Sequence, residues 1–309
     1  MGIQIPPTPG FAPDLEIAAP GSKAPPRAIA DYLPVALTAI AFAVLFAKPL
    51  TTLARDWWTL PEAGHGLLLA PVAVWLAWRS GLRPDAKGDR TLGIALLIFA
   101  VLIRSASGLA AELFTMRGSV VIALVGLTVF HFGVRQVLRW WLPFTLVCLS
   151  IPLPELVTQA LALPLQFKAS RMGAAMLEMR GVPVHLMGNV IQLPGRQLFV
   201  TEACSGLRSM TALLSMAVLL SALVLKSPIS RILLVLLAFP VAIFVNGVRV
   251  FLTGFLVFFV DPKLGEGFMH ETEGWLLFLV SLSVLALSTW VMGFIERRFV
   301  RQPPVLEAA

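Results

Sequence analysis

Ile232-Leu233-Leu234-Val235-Leu236-Leu237-Ala238-Phe239-Pro240-Val241-Ala242-Ile243-Phe244-Val245 carries no polar side chain, and after Asn246-Gly247-Val248-Arg249 the apolar run resumes as far as Phe259. A bilayer core offers the backbone no hydrogen-bond partner, so a segment crossing it must satisfy its own N–H and C=O groups. The run is continuous rather than alternating, which selects a helix over a barrel strand. The span is longer than the ~20 residues a crossing needs, so it tilts or protrudes, and Pro240 is an expected kink.

The rest of the chain has the same character. Of 309 residues 58% are hydrophobic and 13% charged, and the mean hydropathy is +0.85. A soluble domain carries roughly a quarter of its residues charged. The composition therefore predicts an all-α polytopic membrane protein. Its net charge of +7 sits in short loops, which reads as topology and not as a nucleic-acid surface. Two cysteines, Cys148 and Cys204, make no disulfide framework. The pattern calls for no metal and no cofactor.

Eight spans are expected, at about 31–47, 64–78, 91–109, 118–132, 137–151, 204–225, 229–259 and 274–295. Arg79, Arg83, Lys87, Arg90, Arg135, Arg139, Lys226, Arg231, Arg297 and Arg298 then fall on one side, and the excess of Lys and Arg makes that side cytoplasmic, with both termini inside. Residues 1–28, rich in Pro, Ala and Gly, read as a disordered cytoplasmic tail without a cleavable signal. Residues 29–296 read as one transmembrane domain and 297–309 as a second cytoplasmic tail. The outer segment 152–203 is expected to hold an interfacial helix over Glu155–Arg180. A short β-hairpin, with turn signals at Gly188-Asn189 and Pro194-Gly195, should follow and lead into the sixth span.

Polar residues at span ends mark the candidate site, because an ionisable group in a span asks for a reason. Cys204 lies in Thr201-Glu202-Ala203-Cys204-Ser205-Gly206-Leu207-Arg208. A cysteine reacts as its thiolate, which nearby positive charge and access favour. Arg208 is one helical turn away; Cys148 sits in an apolar stretch. Asn246 and Arg249 are three residues apart and share a helix face. Arg249 has the alternative of a snorkelling or structurally paired arginine, and Arg208 that of an ion pair with Glu202. His270 precedes the eighth span, where it also reads as a loop histidine. His65, in Gly64-His65-Gly66, stands at an outer span start. Arg104 and Arg117 are further cavity candidates. Cys204, Arg249 and His270 come from three consecutive spans at one leaflet. A thiol, a guanidinium and an imidazole there form an acyl-transfer set: nucleophile, thiolate or oxyanion stabiliser, and general acid/base.

Glu202-Ala203-Cys204-Ser205-Gly206-Leu207-Arg208-Ser209, Asn246-Gly247-Val248-Arg249 and the later His270 resemble the motifs of the exosortase/archaeosortase family of membrane-embedded cysteine transpeptidases. Gly64-His65-Gly66-Leu67-Leu68-Leu69-Ala70-Pro71 is similar to a further family segment, with Gly64 in place of serine. The resemblance spans about residues 30 to 295. It implies a bacterial inner-membrane enzyme with its site facing the periplasm. The implied partners are proteins with a C-terminal Pro-Glu-Pro sorting signal and transmembrane helix, and Cys204 would cleave them through a thioester. A lipid or other acceptor would then take the acyl group. Arg208, Asn246, Glu202 and His65 would bind substrate or support the triad. A transporter, or a non-catalytic component of polysaccharide export, is the alternative from another class.

Overall fold

The computed structural model describes residues 29–200, 206–261 and 267–299. The expected tail 1–28 and residues 300–309 of the expected tail 297–309, together with Glu202 and Cys204, lie outside the described residues, whereas 297–299 continue the last helix. Eleven helices are described: α1 (Ile29–Leu45), α2 (Ala47–Thr59), α3 (Gly66–Ser80), α4 (Arg90–Leu109), α5 (Leu113–Phe132), α6 (Val134–Arg139), α7 (Trp141–Leu149), α8 (Glu155–Glu178), α9 (Leu207–Val224), α10 (Pro228–Phe259) and α11 (Gly267–Phe299). Three strands, β1 (His185–Met187), β2 (Val190–Leu193) and β3 (Arg196–Phe199), lie between α8 and α9. Among the described residues, those up to Ala47 and those from Lys48 on group into two units.

Among the described residues five helices can cross a membrane by length and composition: α4, α5, α9, α10 and most of α11. Leu37–Leu45 and Ala47–Thr59 pass the same test only when counted together. The expected second span is the 15-residue α3, and the expected fifth breaks at Trp140 into α6 and α7. The count of eight is thus not reproduced span for span. Many large apolar side chains face outward, among them Ile98 on α4 and Trp290 on α11, at 56% and 60% exposure. In water this would be an aggregation surface; in a bilayer it is the lipid-facing side.

The helix ends are fixed locally. The Asp89 carboxylate accepts from the Leu92 N–H at 3.0 Å and starts α4. Glu112 accepts from the Phe114 and Thr115 N–H groups at 2.8 and 2.7 Å and starts α5. Such caps satisfy N–H groups that a helix leaves without a partner. Two loops expected on one side are stitched together. Asp85 accepts from both Arg83 and Arg135, and Gln136 accepts from the Arg83 N–H and donates to the Gly81 carbonyl. Arg83 holds the Asp85 carboxyl down to about 2.

The single expected hairpin is a three-stranded antiparallel meander in the order β1-β2-β3. Both turn signals are used: Met187 pairs with Val190 around Gly188-Asn189, and Leu193 with Arg196 around Pro194-Gly195. The expected interfacial helix, α8, is packed against α10 as well as exposed on its far side. Its inner face is small: Ala162, Ala169, Ser170, Gly173 and Ala174 are buried. A Cβ on Gly173 would come within 2.5 Å of Val250, and one on Gly247 within 2.8 Å of Met172, so the two backbones approach closely. Around this contact Leu177, Val182, Ile191, Leu193 and Val200 form a core with Val250, Phe251 and Phe255. With 32 residues, α10 is ~48 Å long, against an apolar core of ~30 Å. The part beyond Val250 packs on one side against α8 and the sheet, so Arg249 stands where α10 passes onto this cover.

Candidate active site

The hydroxyls inside the spanning helices are mostly self-satisfied. Ser215, Ser281 and Thr289 each donate to the carbonyl one turn back, which takes no partner from another helix. Others reach another helix: Ser107 on α4 meets Thr115 on α5, and Thr253 on α10 meets Glu273 on α11.

α9 begins at Leu207, with Gly206 as its N-cap. The sequence pattern puts the start of this span at Cys204, so the cysteine instead precedes the helix by three residues. Gly206 has φ +79°, a left-handed conformation open mainly to glycine. It is also pressed on α10: a Cβ there would lie 2.6 Å from Cγ of Asn246. Asn246 itself is only 6% exposed. On the other flank of the segment 201–205 the chain is pinned at Val200. The Val200 N–H donates to the Asn189 carbonyl at 3.0 Å, and the Asn189 side-chain amide donates to the Val200 carbonyl at 3.1 Å. The two described residues that flank this segment are thus both held, Val200 by the turn at Asn189 and Gly206 by α10.

One turn along α10 from Asn246 comes Arg249, half-buried. Its guanidinium crosses to α11 and lies against Gly274, where a Cβ would stand 3.1 Å from Nη2. Ser209, Asn246, Arg249, Gly274 and Ser281 contribute to the wall of a small cavity between the three helices, about 30 Å³ in volume. That is room for about one water among polar groups.

His270 was expected in a loop before the last span. It lies instead in the first turn of α11, which starts at Gly267. Positions 270, 274, 277 and 281 fall on one helical face, and Gly274, Leu277 and Ser281 of that face line the cavity. The His270 side chain lies outside the described residues.

The supporting candidates separate. Arg208 is exposed in the first turn of α9 and does not line the cavity. The His65 ring meets the Leu149 carbonyl at 3.1 Å; a carbonyl only accepts, so Nε2 carries the proton. Burial lowers its pKa from the usual histidine value, against the pull of the Leu149 and Glu62 backbone groups. The Trp57 indole donates to the neighbouring Ser150 carbonyl at 2.8 Å, so His65 belongs to a knot joining α2, α3 and α7. Arg117, 4% exposed, donates to the Asp56 carboxylate at 2.6 Å and is a structural pair. Cys148 is exposed on the outside of α7.

Two residues that sequence reasoning missed stand beside Arg249. The Thr253 hydroxyl, one turn further along α10, lies 3.0 Å from the Arg249 carbonyl and 2.9 Å from the Glu273 carboxylate. Glu273 and Arg249 also interact through their charges. The available signal was spacing: Arg249 and Thr253 are four residues apart, and Glu273 adjoins Gly274.

These features define a polytopic helical membrane protein with a small polar cavity where three consecutive helices meet. The chain belongs to the transmembrane exosortase family: the family's model matches residues 57–287, about three quarters of its length. No curated protein and no solved structure matches it. The matched range contains Cys204, Arg249, His270 and His65.

Proposed function

We propose that the chain is a cysteine transpeptidase or protease that cleaves C-terminal Pro-Glu-Pro-type sorting signals beside the substrate's transmembrane helix. It would act at the periplasmic face of a bacterial inner membrane. The observation that carries this reading is the approach of Gly206 to Asn246. Cys204 is two residues from Gly206, so its Cα falls within about 7 Å of the Gly206 Cα whatever path the chain takes. That reach supports a pairing of the Cys204 thiol with Arg249, which lies one turn from Asn246.

The chemistry follows from the groups available. Cys204 precedes the N-terminus of α9, where the helix dipole and the N–H groups favour an anion. Arg249 adds a full positive charge. The Cys204 proton passes to His270, and the thiolate attacks the scissile carbonyl. The carbonyl π-electrons move to oxygen, and Arg249 with the Asn246 amide meets that oxyanion. As the tetrahedral species collapses, the C–N bond breaks and the leaving amine takes the proton from His270. The acyl group remains on sulfur as a thioester. An acceptor, water or a lipid or other nucleophile, then loses its proton to His270 and attacks the thioester, and the thiolate departs. Arg208, exposed at the site's approach, suits an acidic residue of the sorting signal, and Glu202 is assigned a supporting role.

The test is Cys204→Ala and Cys204→Ser in cells carrying a tagged sorting-signal substrate. Both variants should accumulate unprocessed substrate at normal abundance of the membrane protein. Mature substrate from a normally folded Cys204→Ala would sink the reading. Mass spectrometry of the new C-terminus separates the outcomes: a free carboxylate means protease, a modified terminus transpeptidase.

A further inference from the structure

A carboxylate placed among the groups that are to stabilise negative charge is costly for that task, and Glu273 is such a carboxylate. It is half-buried near the start of α11, and it is held by Thr253, 4% exposed on α10, through the 2.9 Å contact to Oε2. The same Thr253 oxygen lies 3.0 Å from the carbonyl of Arg249. The guanidinium of that arginine rests on Gly274, the residue after Glu273, and its charge acts on the Glu273 carboxylate. Arg249 and Thr253 on one helix thus face Glu273 and Gly274 on the next, and the four positions close into a ring.

We propose that Glu273 and Thr253 are positioning residues that hold the Arg249 guanidinium against Gly274 at the edge of the cavity. The proposal rests on the reading of Arg249 as the charge that stabilises the reacting thiol or carbonyl. A flexible arginine spends its charge over many rotamers. One confined on one side by a glycine backbone and drawn by a carboxylate meets the oxyanion without reorganising. Gly274 makes room: a methyl there, 3.1 Å from Nη2, would push the guanidinium aside. Thr253 sets the carboxylate's place by joining it to the turn of α10 that carries Arg249.

The experiment uses the full chain in lipid nanodiscs and a peptide bearing a sorting signal and its transmembrane helix. Steady-state rates are measured for Thr253→Val, Thr253→Ser, Glu273→Gln, Gly274→Ala and the double variant Thr253→Val/Glu273→Gln, beside Cys204→Ala. The expected result is a kcat about tenfold lower in Thr253→Val and Glu273→Gln, with KM within about twofold and an unchanged thermal midpoint. Thr253→Ser should recover most of the loss, Gly274→Ala should lose about as much as Thr253→Val, and the double variant should be no worse than the poorer single, as for residues acting through one group. Wild-type kcat in folded Thr253→Val and Glu273→Gln would overturn the proposal. So would losses that multiply in the double variant or follow the thermal midpoint. If Glu273→Gln does not fold, the contrast of Thr253→Val with Thr253→Ser decides alone. The two readings fail separately: processing by Cys204→Ala removes the enzyme itself, whereas an inactive Cys204→Ala beside fully active Thr253 and Glu273 variants removes only the positioning pair.

Discussion

Arg117 on α5 and Arg249 on α10 are the same side chain in two helices of one membrane protein, and each is surrounded differently. Arg117 is 4% exposed, and the Asp56 carboxylate stands 2.6 Å from its Nη2. Its charge is answered directly, by a carboxylate that α2 supplies to α5. Arg249 is half-buried and borders a cavity, with Asn246, Thr253, Glu273 and the open backbone of Gly274 around it. An intramembrane arginine closed over by a counter-charge holds the fold together. One that shares a polar cavity with other functional groups can meet a charge that arises there. Hydropathy alone treats the two alike, since both are arginines in apolar surroundings, and the sequence set Arg249 apart only through its motif and its expected leaflet.

Giving both arginines the same substitution is the strongest way to break this comparison. Arg117→Met strands Asp56 beside apolar groups, and loss of one partner of a buried pair costs about 3–5 kcal/mol. The lower end applies here, because the Asp56 side chain keeps 20% exposure. The expected readout is a lowered thermal midpoint and reduced abundance, recovered in large part by adding Asp56→Leu. Arg249→Met should instead lower the midpoint less, because the half-buried Glu273 keeps its Thr253 contact, and, on the proposed reading of Arg249, slow substrate processing by about a hundredfold, the usual size for a lost oxyanion donor. If both variants fail in the same assay, the distinction falls.

A smaller effect compares glycines in the two regions. Gly206→Ala must fit a Cβ 2.6 Å from Asn246 at φ +79°, and overpacking of this kind costs about 1–3 kcal/mol. Gly118, beside Arg117, has nothing within 4 Å of its Cβ position. There alanine should be neutral or stabilise by up to about 1 kcal/mol through helix propensity. Thermal melts of the two single variants check both signs.

The smallest expected effect is a pH dependence. Burial lowers the His65 pKa below 6.5, so the unfolded chain binds its proton more readily than the folded one. The stabilisation is complete above about pH 6.5 and is lost as the pH falls through the lowered value. His65→Gln should flatten the thermal midpoint between pH 7 and 5, while Arg249→Met leaves that slope unchanged. A slope that persists in His65→Gln assigns the titration to another group.

Much of the helical layout was legible because apolar runs have one physical reading in a membrane: α4, α5, α9 and α10 fall within a few residues of their expected places. The failures are equally physical. The amphipathic α2, with Pro49 and Leu53 buried, is too polar to register as a span. The break at Trp140 carries no proline or glycine. The last helix begins at Gly267, since Glu271 and Glu273 lower the local hydropathy without stopping a helix. In the site, Asn246 and Arg249 were visible as polar residues in an apolar run. Thr253 was not, because a threonine in a spanning helix usually bonds its own backbone.

The sequence by itself determined that this is a helical membrane protein and which ionisable residues needed a reason to be there. Hydropathy and charge act locally, so a linear reading finds them. Only the tertiary structure decided which of those residues share a space. It gave Arg117 to Asp56 and His65 to the Leu149 carbonyl, and it brought Gly206 onto Asn246 and Arg249 onto Gly274. Those assignments depend on how near one helix lies to the next, helped at Gly206 and Gly274 by the lack of a side chain, and that distance is written in no single segment of the chain.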